Sequence, residues 1–146
     1  SIGIAKLLSN PETEDFWISR VTGYYNKEHH PQQALLPRVI YIATDGQILA
    51  GVIAGHLTQR FGCQGELQWI NVVEQYRREG VASDLLIKLA KWFLSQNALY
   101  ICVDVGSEVG RNFYLKHGAQ QLNEHWMIWK DIRVVLENTT SNKHGA

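Results

Sequence analysis

The clearest alternation of apolar and polar positions lies in the middle of the chain. Val39 to Thr44 and Gln47 to Leu57 are β-rich apolar runs on either side of Asp45-Gly46, and that dipeptide between two such runs predicts a hairpin. Phe61-Gly62-Cys63-Gln64-Gly65 predicts a second turn. Leu67, Trp69 and Asn71 then alternate with Gln68, Ile70 and Val72, a pattern that predicts a strand with two mixed faces. From Val81 to Asn97 the polar residues Asp84, Lys88, Lys91 and Ser95 form one stripe at helical spacing. The rest of that stretch is mostly apolar, so the helix it predicts is largely covered by protein. Tyr100 to Val105 predicts an interior strand, Val109 to His117 a helix that Gly118 ends, and Trp126 to Trp129 a last strand.

Ahead of the hairpin, Ile2 to Leu8 predicts a first strand. Ser9-Asn10-Pro11-Glu12 has a capping residue, an early proline and an acid, which start a helix running through Phe16, Trp17, Val21 and Tyr24-Tyr25. His29-His30-Pro31 breaks it, and a short helix follows from Gln32 to Leu36. Beyond Leu136 the chain turns polar and is expected to fray. No internal repeat and no linker divides the sequence. Residues 1–136 therefore read as one domain and 137–146 as a polar tail. The order of elements is strand, helices, hairpin, strand, helix, strand, helix, strand, which belongs to the mixed α/β or α+β class. A dinucleotide-binding Rossmann unit would need G-x-G-x-x-G, which the sequence lacks.

Composition narrows the function classes. A chain of 146 residues can bury a real core. Its 14 Lys plus Arg against 14 Asp plus Glu leave no net charge, which argues against broad attraction to nucleic acid or an anionic membrane. No apolar run reaches the length of a bilayer span and no signal-peptide pattern opens the sequence. Cys63 and Cys102 form neither a metal-ligand spacing nor a disulfide framework, so a reduced, cytoplasmic setting is expected. Adjacent His29 and His30 cannot both face one ion easily and have no third ligand nearby, so no metal site is expected.

One junction stands out chemically. Arg77-Arg78-Glu79-Gly80-Val81-Ala82 joins the strand ending near Val73 to the apolar helix. Backbone N–H groups at such a helix start face outward, toward the positive end of the helix dipole, and suit a phosphate. Gly80 and Ala82 are small enough to let backbone approach it, and two arginines add charge. The bland alternative is a solvated turn that happens to carry two arginines.

These six residues also fit R/Q-x-x-G-x-G/A, the acyl-coenzyme A signature of the GCN5-related N-acetyltransferases. Downstream, Ser107-Glu108-Val109-Gly110-Arg111-Asn112-Phe113-Tyr114, then Lys116-His117-Gly118-Ala119, is similar to that family's N-x-x-A-x-x-F/L-Y-x-x-x-G-F. Phe113, Tyr114 and Gly118 match, whereas Ser107 replaces Asn, Gly110 replaces Ala and Ala119 replaces Phe. The resemblance spans residues 66–119. It implies a mixed, mostly antiparallel sheet of six to seven strands flanked by helices, around a central β-α-β unit that binds acyl-coenzyme A.

The implied reaction is direct attack of a primary amine on the thioester of acetyl-coenzyme A in a ternary complex, without a metal. The resemblance places the diphosphate on the N–H groups of Arg78, Glu79, Gly80, Val81, Ala82 and Ser83, with the Arg77 and Arg78 guanidiniums adding charge. It places the thioester carbonyl on backbone at Val72 and Val73, and the pantetheine arm near Ser107 and Gly110. Tyr114 is then the acid that protonates the departing thiolate, with an aromatic core anchor as the structural alternative. Glu66 stands eleven residues before Arg77, the distance of the catalytic glutamate in the histone-acetylating branch. It is either the base that deprotonates the amine or a solvated turn residue after Gly65. Asp104 either binds substrate or caps a turn, and His56 and His125 are candidates for the acceptor pocket. The resemblance further suggests a homodimer, with the C-terminal strand as the available edge. The competing reading is a coenzyme A-binding sensor that has lost catalysis, for which the Ser107 and Gly110 departures are the support.

Overall fold

The computed structural model describes residues 37–137. The expected strand at Ile2–Leu8, the helices from Ser9 to Leu36 and the polar tail beyond Glu137 lie outside the described residues. Six strands form one sheet in the order β1-β2-β3-β4-β6-β5. The hairpin at Asp45-Gly46 joins β1 (Arg38–Asp45) to β2 (Ile48–Leu57). A loop with one 3-10 turn, Arg60–Gly62, leads to β3 (Gly65–Val72), and α1 (Val81–Ser95) crosses to β4 (Ile101–Asp104). Then come α2 (Glu108–Lys116), the short β5 (Gln120–Gln121), which the sequence pattern did not predict, and β6 (Trp126–Trp129). All pairings are antiparallel except β3 with β4, so β3-α1-β4 is the one parallel crossover among the described residues.

α1 lies against one face of the sheet. Its Leu85, Leu86, Leu89, Ala90 and Phe93 are buried in a cluster with Ile53, Leu67 and Ile101. Each fully buried leucine or phenylalanine contributes about 1.5–3 kcal/mol of transfer free energy. The close approach explains Gly65, where a Cβ would meet Phe93 Cε1 at 2.5 Å. That glycine belongs to β3 and not to the turn its residue type suggests. The strand consequently starts two residues earlier than the alternation from Leu67 predicts, and Glu66 falls inside it.

The mixed faces of β3 have a cause. Its register with β2 steps from Ala54↔Trp69 to Gly55↔Leu67, which leaves Gln68 as an extra, bulged residue. Leu67 before the bulge, and Ile70 and Val72 after it, pack on the α1 side. Trp69 packs on the other side with Ile40, Ile42, Val52 and Ala54. Cys63, Cys102 and Ile128 form a further buried cluster, flanked by Tyr100 and Trp126. Both cysteines are free, and burial pushes both thiols above the ordinary cysteine range, which fits Cys102 as a small core residue. No described helix is long and apolar enough to cross a membrane.

Candidate active site

β3 and β4 pair over only three positions, Gly65↔Ile101, Glu66↔Cys102 and Leu67↔Val103. β3 nevertheless stays paired with β2 as far as Val72. The two central strands therefore part beyond Leu67, and a cleft of about 1260 Å³ opens where they separate. Its walls include Gln68 to Val72 on one side, Asp104 to Ser107 on the other, and Gly110, Phe113 and Tyr114 of α2. Val73 donates its N–H to Ala50 O at 2.8 Å, toward β2. By strand alternation Val72 turns its backbone groups to the open edge, where its carbonyl accepts from Arg77 Nε at 3.0 Å. Val72 lines the cleft and Val73 does not.

One end of the cleft is the junction before α1. Gly80 is the N-cap, at φ +82°, and no side chain caps the first turn. Arg78 also has a positive φ, +68°. The free first-turn N–H groups of α1 suit an anion. Arg77, Arg78 and Ala82 line the cleft. Glu79 and Gly80 are exposed beside it, and Val81 turns its side chain into the core against Leu85 and Leu89. Ser83 Oγ is in hydrogen-bond contact with His117 Nε2, 3.0 Å away. That contact ties the first turn of α1 to the end of α2.

α2 begins with a side-chain cap: Ser107 Oγ accepts the Gly110 N–H at 3.1 Å. The serine thus has a local task that the family's asparagine position does not predict. Gly110 has one as well, because a Cβ there would lie 2.6 Å from Val105 O. About one helical turn beyond Gly110, Tyr114 is 5 % exposed and packs edge-on against Trp129, with ring centroids 5.8 Å apart. It also lines the cleft, so the core-anchor and site readings hold together. Burial, and then the charge of Asp104, push its phenol up to about 12. The hydroxyl is therefore fully protonated at neutral pH. Among the described residues nothing hydrogen-bonds it.

The other end of the cleft is a side-chain network. Glu66 is 7 % exposed, which overturns the solvated-turn alternative. Arg60 Nε donates to its Oε1 at 2.9 Å, and the same guanidinium lies 4.9 Å from the centroid of the Trp126 ring. Phe61, held at φ +57°, meets the edge of that indole with centroids 5.1 Å apart. A bulky residue at positive φ is strained, and the strain is retained where the loop holds Arg60 and Phe61 on Trp126. Asp104, the cross-strand partner of Trp126, accepts the Gly106 N–H at 3.0 Å and lines the cleft, so it both closes the turn and faces the site. His56 is buried behind Glu66 and does not line the cleft; exposed His125 does not either. Sequence reasoning missed Arg60 and Trp126. Among the described residues no cluster of three or more His, Cys, Asp or Glu could hold a metal ion.

A search of curated proteins finds no match. Among solved structures, an aminoglycoside 6'-N-acetyltransferase complexed with coenzyme A superposes with a TM-score of 0.65 at 18% identity, covering 90% of this chain and 97% of its own. Ard1 from Thermoplasma volcanium gives 0.62 at 18% identity, with 90% and 96% covered. An acetyltransferase of the GNAT family from Staphylococcus aureus gives 0.62 at 15% identity, with 88% and 98% covered. These likenesses establish the mixed fold. The model of the acetyltransferase (GNAT) family matches residues 7–119, including the junction before α1, the parting strands and Tyr114, and the chain belongs to that family of acyltransferases.

Proposed function

We propose that this acyltransferase moves an acetyl group from acetyl-coenzyme A to a primary amine, by direct attack within a ternary complex. The observation that carries the reading is the parting of β3 from β4 beside an uncapped helix start, with the Tyr114 ring on the wall between them. An extended pantetheine arm fits the gap as a missing strand would. The diphosphate would rest on the N–H groups from Arg78 to Ser83, with the two arginines beside it. The coenzyme A-bound aminoglycoside acetyltransferase among the similar structures supports this choice of donor.

The chemistry needs a proton removed from the amine and one delivered to the thiolate. Glu66 is the buried carboxylate on the cleft wall, held in place by Arg60, and takes the first role. Tyr114 takes the second, since its raised pKa keeps the donor proton in place at neutral pH. The oxyanion would meet backbone N–H at the open edge of β3. A cytoplasmic enzyme with a reduced thiol pool suits two free buried cysteines.

Two measurements test the reading. Acetyl-coenzyme A at about 100 times its dissociation constant should stabilise the fold by ~2.7 kcal/mol, read as a rise in Tm. Thiol release against a panel of primary amines should exceed background. A rise in Tm without thiol release would favour the sensor reading. No rise would remove coenzyme A from the proposal. The sensor reading has lost ground, because Ser107 and Gly110 each answer a local packing need.

A further inference from the structure

Behind Glu66, away from the cleft, stands a histidine with an unusual orphan atom. His56 and Glu66 are cross-strand partners on β2 and β3, and His56 is 2 % exposed. Its Nδ1 lies 2.8 Å from Leu57 O. A carbonyl oxygen can only accept, so Nδ1 carries the hydrogen of the neutral ring. Nε2 is then a bare lone pair, and it is one of two buried side-chain atoms without a hydrogen-bond partner among the described residues. Such an orphan in an interior is costly and calls for a reason. The nearest charged atom is Glu66 Oε1 at 3.9 Å, on the same carboxylate that Arg60 clamps from the other side.

Two lone pairs facing each other at that distance repel weakly while both are empty. They attract strongly once either holds a proton. One bridging water, or an approach of about 1 Å, makes a hydrogen bond of it. We infer that His56 is a two-way proton relay behind Glu66, a positioning residue that takes the proton from the base during turnover, hands it back for release to water, and never touches substrate. The inference rests on the amine-acetylation reading of the site. The acceptor ammonium loses an N–H proton to Glu66, forming a carboxyl O–H. That O–H then breaks as Nε2–H forms, leaving imidazolium beside a restored carboxylate. The pair then stands as a buried ion pair until the Nε2–H bond breaks, the carboxyl O–H reforms, and Glu66, which lines the cleft, gives the proton to solvent water.

The groups that face the relay are few. Glu66 favours the imidazolium. Arg60 beyond it, and Arg38, the cross-strand partner of His56 on β1, oppose it.

Two experiments decide the matter. Imidazole 15N resonances of His56, followed across pH in wild-type and Glu66→Gln protein, need no acceptor. The expected result is an Nδ1–H tautomer with bare Nε2, and uptake of the second proton at lower pH once the carboxylate is gone. An Nε2–H tautomer, or a titration that Glu66→Gln leaves unmoved, would overturn the relay. His56→Asn keeps a donor for Leu57 O and deletes Nε2. Its kcat with a primary amine should fall at neutral pH by at least tenfold, short of the ~10²–10⁴ of a direct acid or base. The deficit should shrink as pH rises and the acceptor arrives already neutral. A deficit constant across pH marks a purely structural histidine and also overturns the relay. If the wild type binds acetyl-coenzyme A yet releases no thiol, the functional reading fails, and the tautomer measurement still decides the relay.

Discussion

The two ends of the cleft are made of different things. The end near α1 comes from one continuous stretch, residues 72–83, and works through backbone: a positive-φ glycine, an uncapped helix start and a strand edge. The Arg60 end gathers side chains from a loop, two inner strands and β6, and works through an ion pair, a guanidinium on an indole and a buried imidazole. Backbone sites recognise what is common to many ligands, which under the proposed function is a diphosphate and an extended arm. Side-chain networks can differ from one chain to the next without disturbing the sheet. Under the proposed function, the contrast teaches that donor and acceptor recognition can vary independently in one cleft, because they would rest on different atoms.

The sharpest way to break that contrast is Tyr114, which stands between the two ends. Tyr114→Phe should lower kcat by about 10²-fold, the low end of an acid's contribution, and leave acetyl-coenzyme A affinity unchanged. Equal loss of affinity and turnover would make the ring a binding wall only. Gly110→Ala comes next. Alanine is favoured in a helix by ~1 kcal/mol, yet the backbone oxygen of Val105 cannot swing aside, and overpacking costs about 1–3 kcal/mol. A net drop in the unfolding midpoint is expected, with weaker acetyl-coenzyme A binding as α2 shifts. A stabilised variant would show that the helix slides clear.

Trp126→Leu tests the far end. Losing the surface under Arg60 removes about 0.5–1 kcal/mol of cation–π attraction, so the acceptor KM should rise two- to fivefold. The acetyl-coenzyme A KM should not move; a parallel rise in both would erase the separation of the two ends. The smallest effect concerns His117, which joins α1 to α2. Burial first, and then Lys116, hold its pKa below the ordinary histidine value of 6.5. A folded pKa below the unfolded one gives stability that is complete above about pH 6.5 and fades as pH falls through the folded value. Urea midpoints at about pH 7.5 and pH 5 should differ more for the wild type than for His117→Gln.

Legibility in the sequence follows the same division. The hairpin at Asp45-Gly46, the helix from Val81, the strand Trp126–Trp129 and the phosphate-type junction were all readable, because each is a local pattern whose residues are neighbours in the chain. The parting of β3 from β4 is a matter of strand register, visible in the three-residue ladder. The Arg60 network was not readable. Arg60, Glu66 and Trp126 meet only through strand register, and Gly65 disguised that register by reading as a turn residue when its role is to admit Phe93. His56 looked like a pocket residue because its type suggests one; only its burial on β2, one strand beyond Glu66, reveals that it stands off the cleft.

The bulge at Gln68 has a consequence of parity. Upstream of it, even-numbered Glu66 faces away from α1; downstream, odd-numbered Trp69 does. One surplus residue thus switches odd for even halfway along the strand. Without it, either the acid and its histidine or the indole and its apolar neighbours would sit on the wrong side. Chemistry at one end of β3 and packing at the other are kept compatible by a count of one.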